Sequence, residues 1–167
     1  NSAAASIENF VYIIMNSLYQ TAITFSAQNM GAKKYKRITR VLVTCTVIVL
    51  LCGTISGELV YRFGHPLLSI YCPDNPAALE VGMVKLSIVC RFYVLCGIME
   101  VMVGVLRGMG YSMTSMIISL FGACFLRIVW IYTLFAKFHT LKCLYISYPV
   151  SWVLVFTIDI IIYFFIY

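Results

Sequence analysis

Five long apolar stretches, separated by short polar segments, account for nearly all of the 167 residues. The chain is 62% hydrophobic and 11% charged, whereas soluble domains are roughly 45–50% apolar and about 25% charged. A bilayer core needs about 20 apolar residues for each helical span, and every stretch supplies that length. The sequence therefore predicts an all-α membrane protein whose main surroundings are the lipid bilayer.

The five predicted transmembrane helices cover residues 3–30, 39–63, 77–107, 113–136 and 143–167. Breaker residues separate the second from the third, in the strings Gly64-His65-Pro66 and Pro73-Asp74-Asn75-Pro76. Because lipid offers irregular backbone no hydrogen-bond partner, each span is predicted to be a continuous helix. The chain starts without an initiator Met and has an odd number of spans, so we expect it to be part of a longer protein.

A basic cluster lies between the first two spans and contains no acid; its residues are Lys33, Lys34, Lys36, Arg37 and Arg40. Cytoplasmic loops of membrane proteins collect Lys and Arg, so loop 31–38 is predicted to be cytoplasmic. No aromatic platform accompanies the cluster, and this argues against a nucleic-acid partner.

Enzyme chemistry and resident metals have no support in the sequence. The seven cysteines show no CxxC spacing, and the two histidines belong to no HExxH motif, so neither a metal site nor a cofactor is predicted. Cys72 and Cys143 fall in predicted loops on the same side, which leaves a disulfide open beside the alternative of two unpaired thiols.

The first span carries a polar stripe within about 120° of helix surface at 100° per residue, formed by Glu8, Asn9, Tyr12, Asn16, Tyr19 and Gln20. Such a stripe cannot face lipid, because ionisable groups are costly there. Two interpretations are open: hydrogen bonding between helices, or a water-filled path. We expect the path.

Other intramembrane charges lie in the later spans. In the third span, Tyr93, Cys96, Glu100 and Arg107 share one face. Glu100 is either a structural acid paired with Arg107 or a site for a proton or cation. Asp159 in the fifth span is expected to be structural, with no partner identifiable.

Three further charges lie at similar depth near the predicted outer side of the membrane. Arg91 and Arg127 share this depth, and Glu58 is their most plausible counter-ion. We predict a structural charge network of Glu58, Arg91 and Arg127, with Arg107 as an anchor at the cytoplasmic end.

Four strings resemble, together and in this order, the C-terminal lobe of the multidrug and toxic compound extrusion (MATE) family; they are Ser26–Ala32, Gly104–Ser112, Leu126–Trp130 and Tyr148–Trp152. The resemblance implies a twelve-helix transporter of two six-helix lobes, in which this chain supplies helices 8–12. It also implies export of small organic, usually cationic, substrates in exchange for H⁺ or Na⁺ across the plasma (inner) membrane. The missing N-terminal lobe of the same polypeptide is then a required partner.

The resemblance also suggests roles for individual residues. Some family members carry a cation-binding acid eleven positions before the Arg of the third-span string, where this chain has Cys96; Glu100, one turn later, is expected to substitute. We therefore predict Glu100 and Glu8 as cation- or proton-binding residues. The predicted lining of the substrate cavity is Asn9, Tyr12, Asn16, Gln20, Tyr93 and Cys96. The alternatives are a lipid-linked sugar flippase of the same superfamily and a non-transporting membrane subunit.

Overall fold

The computed structural model describes residues 2–71, 76–90, 92–135, 137 and 141–166, and within them it is all-α. Four helices form the first two thirds of the chain: α1 (Ser2–Gly31), α2 (Tyr35–Tyr71), α3 (Pro76–Val89) and α4 (Tyr93–Gly108). The next helix, α5, is a continuous helical run of four parts: Ser112–Ser119, the π-helical turn Leu120–Phe125, Leu126–Trp130 and the π-helical turn Ile131–Phe135. The last helix is α6 (Leu141–Ile166). The all-α prediction is confirmed.

Three of the described helices are long and apolar enough to cross a membrane, over Tyr35–Pro66, Ser112–Thr133 and Cys143–Ile166. The bent pair formed by α3 and α4 makes a fourth if it is counted as one span. Helix α1 has 30 residues, about 45 Å at 1.5 Å per residue, but it is outside this set. The polar stripe lowers the mean hydropathy of α1, and the predicted span over residues 3–30 therefore stays a prediction.

The third predicted span is not the continuous helix that the sequence suggested. Helices α3 and α4 meet at a bend of 50°. Both halves pack against α1, α2 and α6; Lys85 of α3 pairs with Glu8 of α1, and Tyr93 of α4 packs against Trp152 of α6. Local hydropathy carries no information about such long-range contacts, so it could not reveal the bend.

The loop predicted at Gly64-His65-Pro66 is also wrong, since α2 continues through these residues to Tyr71. Gly64 is buried in the packing of α2 against α3, where it faces Met83 and Leu86. A proline removes one backbone hydrogen bond from a helix, and in a membrane helix packing against a neighbour can offset that loss.

Helix α4 is the centre of the bundle. Ten of its 16 residues are buried, and it packs against α1, α2, α5 and α6. Val101, Met102, Val105 and Leu106 are completely covered. The outward surfaces of the other helices expose large apolar side chains such as Phe121, Tyr132 and Phe165, as expected for a surface in contact with lipid.

Helix directions follow from the contacts around α4. Residues Met15, Tyr19 and Ser26 of α1 lie against successively later positions of α4, so these two helices are parallel. Helix α2 is antiparallel to α4. Helix α5 is antiparallel to α6, because Gly122, Arg127 and Trp130 lie against the successively earlier residues Val155, Ser151 and Cys143. The segment 31–40 therefore lies at the end of the bundle where α1 and α4 finish, which we name the basic end.

The close approach of α1 to α4 depends on two glycines, Gly104 and Gly108. A Cβ atom added at Gly108 would lie 2.6 Å from the carbonyl oxygen of Ile23, and one at Gly104 would lie 2.9 Å from that of Tyr19. Small residues at such positions allow membrane helices to pack backbone to backbone. This contact holds α1 at the same depth as α4.

We predict that Gly108→Ala destabilises the protein by about 1–3 kcal/mol, because the added methyl group overpacks the α1–α4 contact. Gly31→Ala is the matched control, since a Cβ atom there would meet nothing within 4 Å. The control should be neutral or slightly stabilising, because alanine favours helix over glycine. Thermal unfolding in detergent measures both, and equal midpoints would contradict the close approach.

Candidate functional site

A row of polar groups runs between α1 and the helices α3 and α4, and we name it the polar seam. It consists of three pairs: Glu8 and Lys85 form a salt bridge, Tyr19 and Arg107 form a hydrogen bond, and Tyr12 and Glu100 interact electrostatically without a hydrogen bond. The pairs follow the chain order of the parallel helices, from the end opposite the basic end toward the basic end. The sequence pattern indicated the α1 residues of this seam and, on α4, Glu100 and Arg107, but it predicted none of the three pairs.

The first pair is a largely buried salt bridge. Nζ of Lys85 lies 3.0 Å from Oε2 of Glu8, and the two side chains are only 12% and 15% exposed. Oε1 of Glu8 is buried without a hydrogen-bond partner in the described part of the chain. Glu8 is therefore held between helices, and the prediction that it faces an open aqueous path is wrong for this arrangement.

Lys85 is the residue that the sequence interpretation missed. A lysine inside a predicted span was a signal in its own right, because intramembrane cations need a counter-charge. Its partner is 77 positions away on another helix, so no local spacing could have identified the pair.

The second pair brings the carboxyl of Glu100 near the phenol of Tyr12. Glu100 interacts electrostatically with that phenol and with Arg107, two turns along α4. Glu100 is partly exposed and forms no hydrogen bond or salt bridge with the residues that the structure describes. Among the acids of the seam, Glu100 is therefore the one without a salt bridge in the described part of the chain.

The third pair anchors Arg107 to α1 rather than to Glu100. Nη1 of Arg107 donates a hydrogen bond of 2.5 Å to the hydroxyl of Tyr19, and its guanidinium lies 5.7 Å from the centre of the same ring. Direct ion pairing between Glu100 and Arg107, one of the two alternatives open from the sequence, is not formed among the described residues. Arg107 instead links α4 to α1 near the basic end.

The remaining residues of the polar stripe border the seam. Asn9, Tyr12 and Gln20 are exposed, and Asn16 is half-buried. Their side of α1 is available to water, to a substrate or to another part of the protein. The cavity-lining role of these four residues stays a prediction.

Tyr93 and Cys96, also predicted to line the cavity, lie instead in the core. Tyr93 is 8% exposed and packs edge-on against Trp152 with ring centres 5.7 Å apart, and Cys96 is 5% exposed. An open-cavity position for these two residues is therefore wrong. They share the α4 face that also carries Glu100, and Trp152 of α6 covers this face at Tyr93.

The predicted charge network near the far end of the bundle is also not formed. The salt bridge of Glu58 is with Arg62, one turn along α2, and both side chains are exposed. Arg127 donates hydrogen bonds of 3.1 and 3.3 Å to Oγ of Ser151 and stacks 4.2 Å above the ring of Tyr148. The expected pairing of Glu58 with Arg127 is wrong, because Arg127 faces α6 and finds its partners there. Arg91 lies outside the described residues.

No group of metal-ligating side chains occurs among the described residues. Cys72, one half of the disulfide left open by the sequence, lies outside them, so that alternative stays untested. What the structure offers chemically is a line of acids, phenols and cations held between apolar helices.

This arrangement defines a class. Several apolar helices with charged groups paired inside the bundle are typical of polytopic membrane transporters.

The MatE family model matches residues 1–133 of the chain. The chain therefore belongs to the MatE family, whose members are transporters and not enzymes, and it is an integral membrane protein. Comparisons with curated proteins and with solved structures gave no significant match. The match confirms the MATE resemblance, while the assignment to helices 8–12 stays a prediction.

We predict that Lys85→Met destabilises the protein by about 3–5 kcal/mol, because it leaves the Glu8 carboxylate buried without its counter-charge. The double variant Glu8→Gln/Lys85→Met removes both charges and should recover most of that loss. Thermal unfolding in detergent compares the two.

Arg62→Met is the matched control for that experiment, since it breaks a salt bridge whose side chains are 72% and 51% exposed. Exposed pairs contribute about 0–1 kcal/mol, so this variant should unfold near the wild-type temperature. A Lys85→Met protein as stable as Arg62→Met would show that the Glu8–Lys85 pair is not buried.

Proposed function

We propose that the chain exports small organic cations across the plasma membrane in exchange for H⁺ or Na⁺, as one lobe of a two-lobe transporter. The observation that carries this proposal is Glu100: an acid inside the bundle, partly exposed, with no salt-bridge partner in the described part of the chain. Membership of the MatE family supports transport as the activity. The substrate class, the coupling ion and the second lobe are parts of the proposal.

A single acid in this position accounts for exchange by competition. In low-dielectric surroundings one carboxylate attracts a cation strongly, and neutralisation by a proton or Na⁺ removes that attraction. An organic cation and the coupling ion therefore exclude each other at Glu100. Arg107, which interacts with the same carboxyl, disfavours the simultaneous presence of both cations.

The residues beside Glu100 suit an organic cation. The exposed ring of Tyr12 lies near the acid and can bind a cation through its π face. Asn16 and Gln20 follow on the same side of α1 and can donate or accept hydrogen bonds. Site specificity would come from these neutral groups, while Glu100 supplies the charge.

Alternating access requires a mobile contact between rigid parts, and transporters supply it by rocking one repeat against another. In this lobe, α1 and α4 are locked together by close glycine contacts and the Tyr19–Arg107 bond. The exposed side of α1 would then face the second lobe.

We also propose that loop 31–38 is cytoplasmic, which places the basic end on the inner side of the membrane.

Export is favoured over the flipping of a lipid-linked sugar, because a pyrophosphate requires free cations. Lys85, Arg107 and Arg127 each contact another side chain, whereas Glu100 remains available. An open acid beside an exposed aromatic ring matches a cationic substrate better than an anionic one.

We predict that Glu100→Gln abolishes export of ethidium by the full-length transporter, with unchanged expression, because the amide cannot exchange charge with a cation. Efflux is measured in inverted membrane vesicles with pH and Na⁺ gradients imposed separately, which also identifies the coupling ion.

Glu58→Gln is the control, since Glu58 is exposed on α2 and pairs with Arg62. It should export at the wild-type rate. Undiminished export by Glu100→Gln would remove Glu100 from the coupling site and, with it, the proposed mechanism.

A further inference from the structure

Asp159 on α6 is the one charged residue in the described part of the chain that is completely buried, at 0% exposure. Neither of its carboxyl oxygens has a hydrogen-bond partner among the described residues. Buried polar groups in proteins are almost always hydrogen-bonded. A buried acid without any partner therefore needs an explanation, and the proposed export mechanism does not use it.

The position of Asp159 on α6 is well defined. It shares the buried face of the helix with Trp152, Val155 and Tyr163, and Trp152 contacts Tyr93 of α4. One turn further, the hydroxyl of Tyr163 hydrogen-bonds that of Thr39 on α2, near the basic end. Asp159 thus lies about 6 Å farther from the basic end than the Tyr163–Thr39 hydrogen bond, on the face of α6 that packs against α4.

Arg107 is the charged neighbour that matters. Of the ionised groups on the helices packed against α6, it is the one that interacts electrostatically with Asp159, and it interacts with Glu100 as well. Arg107 forms no hydrogen bond with Asp159; its Nη1 instead donates a hydrogen bond to the hydroxyl of Tyr19. Its Nε is buried and has no partner in the described part of the chain, so this buried donor is free.

A second free donor comes from α5. Oγ of Ser115 is completely buried and unbonded within the described residues, and α5 packs directly against α6. An acid without partners and two buried donors without acceptors therefore occur on helices in mutual contact. Such a set of polar groups is incomplete in this conformation.

We propose that Asp159 is a second proton-binding site of the transporter, which holds a proton in this arrangement and releases it when Arg107 turns from Tyr19 toward the carboxylate. An ionised carboxylate without water or hydrogen bonds is strongly disfavoured inside a membrane protein, so the acid is neutral while Arg107 stays on Tyr19. The term transporter here rests on the proposed function; the proton site itself does not.

The charges balance in this exchange. The proton leaves the Asp159 carboxyl for water admitted beside α4, and the guanidinium of Arg107 keeps its own charge throughout. The carboxylate gains the Arg107 hydrogen bond that the Tyr19 hydroxyl loses. Release of the proton therefore loosens the contact of α1 with α4 near the basic end, which couples protonation to helix movement.

Carbodiimide labelling tests the proposal, because dicyclohexylcarbodiimide modifies protonated carboxyls in apolar surroundings. The full-length protein in liposomes is treated over a range of pH, and the modified peptide is measured by mass spectrometry. We expect Asp159 to be labelled, with the yield falling about tenfold for each pH unit above its midpoint. The exposed acid Glu58 should remain unlabelled.

Tyr19→Phe sharpens the test, because it removes the acceptor that holds Arg107 away from Asp159. Labelling of Asp159 should then decrease at the same pH, whereas Tyr163→Phe, which removes the tie to Thr39, should leave Arg107 in place and preserve it. A purely structural acid would show equal labelling in both variants. Equal labelling would therefore overturn the proposal.

Infrared difference spectra provide a measurement that does not depend on the reagent. The wild-type spectrum minus that of Asp159→Asn should contain the carbonyl stretch of one protonated carboxyl, because any band from Glu100 cancels in the difference. Absence of both this band and the labelling, or labelling that ignores pH, would overturn the proposal.

Failure of the proposed function can be recognised separately. If Asp159 binds a proton as expected but the protein does not export ethidium, the proton site stands and the export assignment fails. If export proceeds and Asp159 carries no proton, the reverse holds.

Discussion

Polar groups inside a membrane protein must find their partners within the bundle, because the surrounding lipid offers none, and an unsatisfied group there costs several kcal/mol. In this chain Glu8 meets Lys85, Arg107 meets Tyr19, and Arg127 meets Ser151. Every one of these contacts joins two different helices. They therefore decide which helices are neighbours and in which register, while the apolar side chains fill the space around α4.

Two acids depart from that rule, and both lie close enough to Arg107 to interact with it electrostatically. Glu100 is partly exposed without a salt bridge, and Asp159 is fully buried without a hydrogen bond, as far as the described residues extend. Local conflicts of this kind are expected at functional sites, where stability is given up for activity. Arg107 can form close contacts with only some of its neighbours at once, and the proposed exchange between Tyr19 and Asp159 depends on this limit.

The membrane class, the helical fold and the MATE resemblance were all predictable, because hydropathy and short motifs are properties of the sequence itself. The errors share one cause. The bend between α3 and α4, the continuation of α2 through Pro66 and the partners of Glu58 and Arg127 all depend on contacts with other helices. Gly and Pro residues and the estimated depth of a residue predict its position along the membrane normal. They do not predict which neighbouring helix its side chain faces.

The sequence by itself determined that this chain lies in a membrane as helices, which of those helices carry charge, and that α1 bears a polar stripe. Only the tertiary structure decided that Lys85 neutralises Glu8, that Arg107 binds Tyr19 rather than Glu100, and that Asp159 is left without a partner. The physical reason is that burial in lipid depends on composition over about 20 residues, whereas a hydrogen bond or ion pair requires two side chains to lie within a few ångströms. That proximity depends on helix packing, and residues as far apart as Tyr19 and Arg107 carry no local sign of it.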